Sequence, residues 1–319
     1  MGTMASDEGR ENPMTPRVAA APVSYGVFEM TVGRPGLPEG PALIEAMADA
    51  GYAGSELGPP GYLGRGREVG ELLAAHDMQL AGSFLPLRFS REEGFAEDMR
   101  ELESTLRVLT EAAEGRDQPV VLLSDAFCEP DRMRYAGAIE AHPETRLGER
   151  RQQLLFDNAH RAAEHCRERG FVTSFHPHAG TYIETPREVE ALLENMDTSL
   201  LGLCFDTGHT AFGGGDPLAL LGQARELVNH VHFKDVDLEL LARLRQEGKG
   251  LEDAWTAGVF CALGTGGGQV GECLQELLAA GYDGWIVVEQ DRVLAPDDPF
   301  DIVLEAAEHN RAWLRERGL

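Results

Sequence analysis

Eight apolar runs recur along the chain, at 18–28, 54–57, 79–87, 119–123, 171–175, 201–205, 228–233 and 285–288, with amphipathic segments between them. Apolar runs bounded by turn residues mark strands buried on both faces, and their alternation with helical segments predicts parallel strands joined by crossover helices. Helices are predicted at 41–50, with proline at its start, and at 67–76, 91–114, 148–169 and 300–316. Another opens near Asp216 or Pro217, with Asp216 as its N-cap. Eight βα units in 319 residues predict an α/β fold, a single (β/α)8 TIM barrel. An open doubly wound sheet is the alternative, but no GxGxxG follows the first run and the units are evenly spaced. Residues 1–17 hold two prolines and no apolar period, so a disordered tail is expected there and the barrel in 18–319. A loop at 127–147 is long enough to be functional or mobile. The region 238–268 should hold an amphipathic helix, a shorter one around Trp255, and the Gly-rich LGTGGG.

A barrel carries its chemistry at the carboxyl ends of its strands. The polar residues found there are Glu56, Asp125, His176, His178, Asp206, His209, His232, Lys234 and Glu289. Successive strands would bring Asp206 and His232 together, although any one such residue could equally cap a helix or satisfy a buried loop. Four come from strands five to eight in turn: His176, Asp206, His232 and Glu289. Two imidazoles and two carboxylates suit Mn²⁺, Co²⁺, Fe²⁺ or Zn²⁺, with positions left for substrate oxygens. No thiolate joins them, which excludes a structural zinc site of the cysteine type.

These segments carry a resemblance. SELGPPGYLG (55–64), GSFLPL (82–87), FHPHAGTYIET (175–185), CFDTGHTAFGGGDPLALL (204–221), NHVHFKDV (229–236), AGVFCALG (257–264) and GWIVVEQD (284–291) together resemble the myo-inosose-2 dehydratase family, within the xylose-isomerase-like TIM-barrel superfamily of sugar isomerases, epimerases and dehydratases. The resemblance runs in register over nearly the whole chain. It implies removal of water from 2-keto-myo-inositol, with Mn²⁺ or Co²⁺ as cofactor and Mg²⁺, Fe²⁺ or Zn²⁺ also admissible. Metal ligands are implied at His176, Asp206, His232 and Glu289. The superfamily has Glu on strand five where this chain has His176, although HPH is usual among the dehydratases. GTGGGQV at 264–270 departs from the pattern, since an acidic residue and a following aromatic are expected there.

Elimination next to a ketone needs a base for the carbon-bound proton, an acid for the departing hydroxyl, and stabilisation of the enediolate between them. Glu56 and Glu289 are candidate bases, and His178 and His209 are candidate acids or hydroxyl holders. Lys234 could polarise an oxygen or pair with Asp235. Structural alternatives stand beside each: a turn residue for Glu56, an orienter of Asp206 for His209, a loop residue for Asp125. A ketose isomerase or epimerase would use the same metal set, so the pattern leaves elimination and isomerisation open. GGGDP lacks the Lys and Ser/Thr of a phosphate-binding P-loop. The three tryptophans read as packing residues.

Charge narrows the partners. Lys plus Arg number 28 against 54 Asp plus Glu, a net charge of −26 that repels nucleic acid and anionic membranes. A small keto-cyclitol or keto-sugar is the expected partner, and a homo-oligomer is compatible with the superfamily. No apolar run approaches the ~20 residues needed to cross a bilayer, and the N-terminus lacks a signal-peptide core, so a cytoplasmic location is expected. Five cysteines without CxxC spacing predict reduced, structural thiols.

Overall fold

The computed structural model describes residues 15–127 and 129–319. Among the described residues ten strands are present in chain order: β1 Arg17–Ala20, β2 Gly54–Glu56, β3 Gln79–Leu87, β4 Val120–Asp125, β5 Thr173–Phe175, β6 Gly202–Asp206, β7 Val228–Phe233, β8 Asp235–Val236, β9 Phe260–Cys261 and β10 Trp285–Val288. Eight close into a parallel barrel in the order β1-β10-β7-β6-β5-β4-β3-β2, while β8 and β9 form a separate antiparallel pair. The chain is a single (β/α)8 barrel. Its strands read as continuous apolar runs because the barrel interior covers one face and the helices the other: every residue of β10, Trp285–Val288, is buried.

The first predicted run, 18–28, is only partly strand. β1 stops at Ala20, because Pro22 has no N–H for the ladder, and a 3-10 turn, Pro22–Tyr25, follows. Arg17, expected in the tail, already pairs with Trp285, whereas residues 1–14 of that tail lie outside the described residues. The helix expected from 91 begins at Phe95, after Gly94 in a left-handed conformation with φ 86°. Asp216 does cap the helix Pro217–Ala224, its Oδ1 accepting from the N–H of Ala219 at 3.0 Å. Helices Leu238–Gln246 and Leu251–Ala257 occupy the region expected to hold two.

The 129–147 segment is anchored by a buried cation. Its helix Pro130–Arg134 turns Arg132 inward, where the guanidinium donates to both carboxylate oxygens of Glu188 at 2.9 Å and to the carbonyl of Thr181 at 2.7 Å. Cys166, Cys204, Cys261 and Cys273 are free thiols, and Cys128 lies outside the described residues. Among the described residues no helix is long and apolar enough to cross a membrane.

Candidate metal centre and active site

Strand register assembles the centre. β6 and β7 pair with Asp206 opposite His232, and β10 pairs its Val287 with His232, so that Glu289 leaves β10 one residue beyond the ladder. Its backbone N–H still donates to Phe233 at 3.0 Å. His232 Nδ1 then lies 3.2 Å from Glu289 Oε2 and 3.6 Å from Asp206 Oδ2. Donor atoms bound about 2.1 Å from one cation sit roughly 3.0–3.5 Å apart, so these spacings fit a shared divalent ion. His176 meets the group through Asp206 Oδ2, 3.3 Å from its Nε2.

Asp206 divides its oxygens. Oδ1 accepts from the N–H of His209 at 2.7 Å and caps the helix Thr207–Phe212, leaving Oδ2 for the centre. Burial opposes ionisation of this carboxyl, but Lys234 and His209 beside it hold it well below the usual range. Burial likewise opposes charge on Glu289, and His232 and Lys234 outweigh it. His232 shows the converse: burial disfavours its cation, yet Cys204, Glu289 and Glu56 raise its affinity for a proton well above the ordinary value. The surroundings of Nδ1 therefore favour a positive charge, whether proton or metal ion, and that buried atom has no satisfied hydrogen bond among the described residues.

Glu56, expected as a candidate base, lines the same cavity as His178 and Glu289. Its Oε1 accepts from His232 Nε2 at 2.8 Å and from His230 Nε2 at 3.0 Å. Burial raises its pKa, but the two imidazoles bring it to about 2. Both of these imidazole bonds fall on the same oxygen, Oε1. The bond to His232 puts the Nε2 proton on the Glu56 side and turns Nδ1 toward Asp206 and Glu289.

Lys234 is fully buried. Its ammonium stands 2.8 Å from Glu289 Oε2, 3.0 Å from Asp291, 3.6 Å from Asp206 Oδ2 and 2.8 Å from His209 Nε2. Burial disfavours the charge, but Asp291, Glu289 and Asp206 more than restore it, so Lys234 remains an ammonium. The alternative pairing with Asp235 is not made. Neighbours along a strand point to opposite sides, and Asp235 accepts from Gly264, Gly266 and Gly268 N–H groups at 2.9, 3.0 and 2.8 Å. The Gly-rich departure at 264–268 is thus a carboxylate nest, in which a Cβ on Gly266 would come 2.5 Å from Asp235 Oδ1. Gly208 likewise admits the Lys234 stem, whose Cγ would lie 2.5 Å from a Cβ at that position.

His178 and His209 pack ring against ring with centroids 3.6 Å apart. Burial, each other's proximity or that of His176, and the Lys234 charge push both well below the ordinary histidine value, so both are neutral. An ammonium only donates, which makes His209 Nε2 an acceptor. A carbonyl only accepts, so His178 Nδ1 donates to Ala179 O at 2.8 Å and its Nε2 carries a free lone pair. His178 lines the cavity above the centre, with His176, Glu289 and Asp291. Asp125 sits apart, buried, accepting from the N–H of Tyr182 at 3.3 Å.

A model of the xylose isomerase-like TIM barrel family matches residues 44–317. The chain belongs to that family. Within it, the chain is 29% identical over 302 residues to an inosose dehydratase of Geobacillus kaustophilus, covering 92% of this chain and 93% of that protein. It is 32% identical over 287 residues to the rhizopine catabolism protein MocC of Rhizobium meliloti, covering 89% and 84%. Among solved structures, the probable 3-DHS dehydratase AsbF of Bacillus anthracis superposes with a TM-score of 0.67 over 95% of this chain and 100% of its own, at 13% identity, a likeness of fold alone.

Two residues of the centre escaped the sequence reading although a signal for both was present. His230, His232 and Lys234 alternate along one strand, as Glu289 and Asp291 do along the end of another, and a period of two sends each set to one side. His230 and Asp291 follow from that alternation.

Proposed function

We propose that the chain is a divalent-metal-dependent hydro-lyase that removes water from 2-keto-myo-inositol or a closely related keto-cyclitol through an enediolate. The observation that carries this is the convergence of Asp206 Oδ2, His232 Nδ1 and Glu289 Oε2 beside a neutral imidazole and a fixed ammonium, in a chain with a relative named inosose dehydratase along 92% of its length. Asp206, His232 and Glu289, with His176 as a fourth donor, would hold the ion, and their mixed oxygen and nitrogen set favours Mn²⁺ or Co²⁺. Such an ion supplies Lewis-acid stabilisation of the charge that develops on the ketone oxygen.

The protein's own groups do the rest. His178 Nε2 takes the proton from the carbon next to the ketone, and the C–H electron pair becomes the enediolate double bond. The enediolate's oxygen pair then re-forms the ketone while the double-bond pair shifts to the bond between the α and β carbons and expels the β-hydroxyl, which takes the proton from His178 and leaves as water. The Lys234 ammonium, held by Glu289 and Asp291, favours the anionic stage. A phosphodiesterase with several metals suits the site less well, because Lys234 Nζ stands among Asp206, Glu289, Asp291 and His209 where a further ion would bind.

Incubation with 2-keto-myo-inositol and Mn²⁺ or Co²⁺ should give a product lighter by one water, and a chelator should abolish it. An unchanged mass with a rearranged ketone would assign an isomerase or epimerase. Absence of both turnover and metal uptake would overturn the reading.

A further inference from the structure

The proposed elimination needs room for one six-membered ring, and the cavity above the metal centre holds more. Its volume is about 820 Å³, within the roughly 300–1,000 Å³ of pockets that enclose drug-sized ligands. A keto-cyclitol ring displaces about as much as six waters at roughly 30 Å³ each. Away from the strand ends the lining mixes aromatic and thioether side chains with the charged Glu29, Arg134, Lys249, Glu252 and Asp253.

A collar makes the outer wall. It is formed by the helix Pro130–Arg134 and the start of the helix Leu251–Ala257. Both are fixed. Arg132 anchors the first through its paired bonds to Glu188. Gly250 lets the second approach so closely that a Cβ there would lie 2.5 Å from the Met133 carbonyl. Between its charged residues Arg134, Glu252 and Asp253 this region presents an apolar strip, Phe28 against Trp255 with ring centroids 5.3 Å apart, and Met133, while Phe84 and Phe127 pack against His178 at 5.5 and 4.9 Å. Met30, at the lip, is 47% exposed, an unusual position for a large apolar side chain. A bare cyclitol carries hydroxyls on nearly every carbon, and over the Phe28 ring and the Met133 thioether they would lose water without gaining partners.

Resting on the dehydratase reading of the centre, we propose that the substrate is a keto-cyclitol or keto-sugar ring bearing an apolar substituent of about aryl size. The ring engages the metal centre and His178, and the substituent lies along Phe28, Met133 and Trp255. Chemistry fits this division: the polyhydroxylated part meets the donors, and the apolar part meets the collar. Burying one phenyl group against a preformed wall raises affinity at least about tenfold.

The test compares 2-keto-myo-inositol with its benzyl ether at the ring carbon opposite the ketone, using calorimetry on the Mn²⁺-loaded protein and turnover followed by mass. The ether should bind at least tenfold more tightly, and its KM should be lower by a similar factor. Met30→Gln, at an exposed position that does not threaten folding, should narrow that ratio severalfold, and Trp255→Leu should narrow it further. Equal or weaker binding of the ether, or a ratio untouched by both folded variants, would overturn the proposal. If neither compound loses water while the ether still binds tenfold more tightly, the dehydratase reading fails and the substituent site stands.

Discussion

Glu56 on β2 reaches across the barrel to His232 on β7, its Oε1 2.8 Å from the imidazole Nε2. Two strands, β1 and β10, separate them around the ring. The contact ties the orientation of the imidazole that faces Asp206 and Glu289 to a carboxylate 176 residues away in sequence.

Glu56→Gln should therefore act through the metal. Loss of such an orienting carboxylate weakens metal affinity about 10–100-fold, and turnover should largely return at saturating Mn²⁺. Calorimetric titration of metal, read beside kcat at high metal, checks this. Unchanged affinity with lost turnover would restore Glu56 to the role of base.

Glu289→Gln removes a donor oxygen and part of the field that keeps Lys234 charged. Purified protein should carry little bound metal by elemental analysis, and turnover should fall by at least about 10²-fold, the scale of a lost electrostatic contribution to catalysis. Full metal content with full activity would refute the site.

His178→Gln should leave metal binding intact within a few-fold and cut kcat by about 10²–10⁴, the usual contribution of a positioned acid–base group. A loss confined to KM would make His178 a hydroxyl holder instead.

Arg132→Met leaves Glu188 buried without its cation. Breaking such a pair from one side costs about 3–5 kcal/mol, to be read as a lowered urea midpoint. Arg132→Met combined with Glu188→Met should recover part of that loss, since two apolar side chains need no counter-charge.

Asp125 gives a pH signature away from the metal centre. Burial pushes its pKa up from 3.8 to about 7, against the pull of backbone N–H bonds from Tyr182, Ala126 and Ser90. A raised folded-state value means that the stabilising protonated form is fully present below pH 3.8, and that its contribution is lost as pH rises through 7. At about 1.4 kcal/mol per pH unit, the decline is on the order of a few kcal/mol. Asp125→Asn should flatten stability measured between pH 4 and 7; an unaltered slope would show that Asp125 is ionised throughout.

The barrel, and the meeting of Asp206, His232 and Glu289 on one rim, were legible because both depend on local pattern. Apolar runs mark strands, and the residue ending each run lands on one rim, which is how Asp206, His232 and Glu289 stand out. The function of Glu56 was not legible. Its partner is chosen by barrel closure and by the register shift between Ser55 and Glu56, neither of which leaves a mark in the neighbouring sequence. The same holds for Arg132, a cation in a stretch that reads as loop, whose burial depends on Glu188 arriving from another element. Asp235 was misassigned for a smaller reason: Lys234 is its neighbour in sequence but faces the other side of the strand, toward Asp291.

Asp206 serves two masters with its two oxygens, one closing the first turn of a helix and the other facing the metal centre. Its evolutionary latitude is correspondingly narrow. Glu would carry the same charge yet displace both oxygens by a carbon–carbon bond, and Asn or Ser would keep the cap while forfeiting the anionic donor. Drift at this position is therefore screened twice, once by folding and once by chemistry, and a compensating change elsewhere would have to answer both demands at the same time.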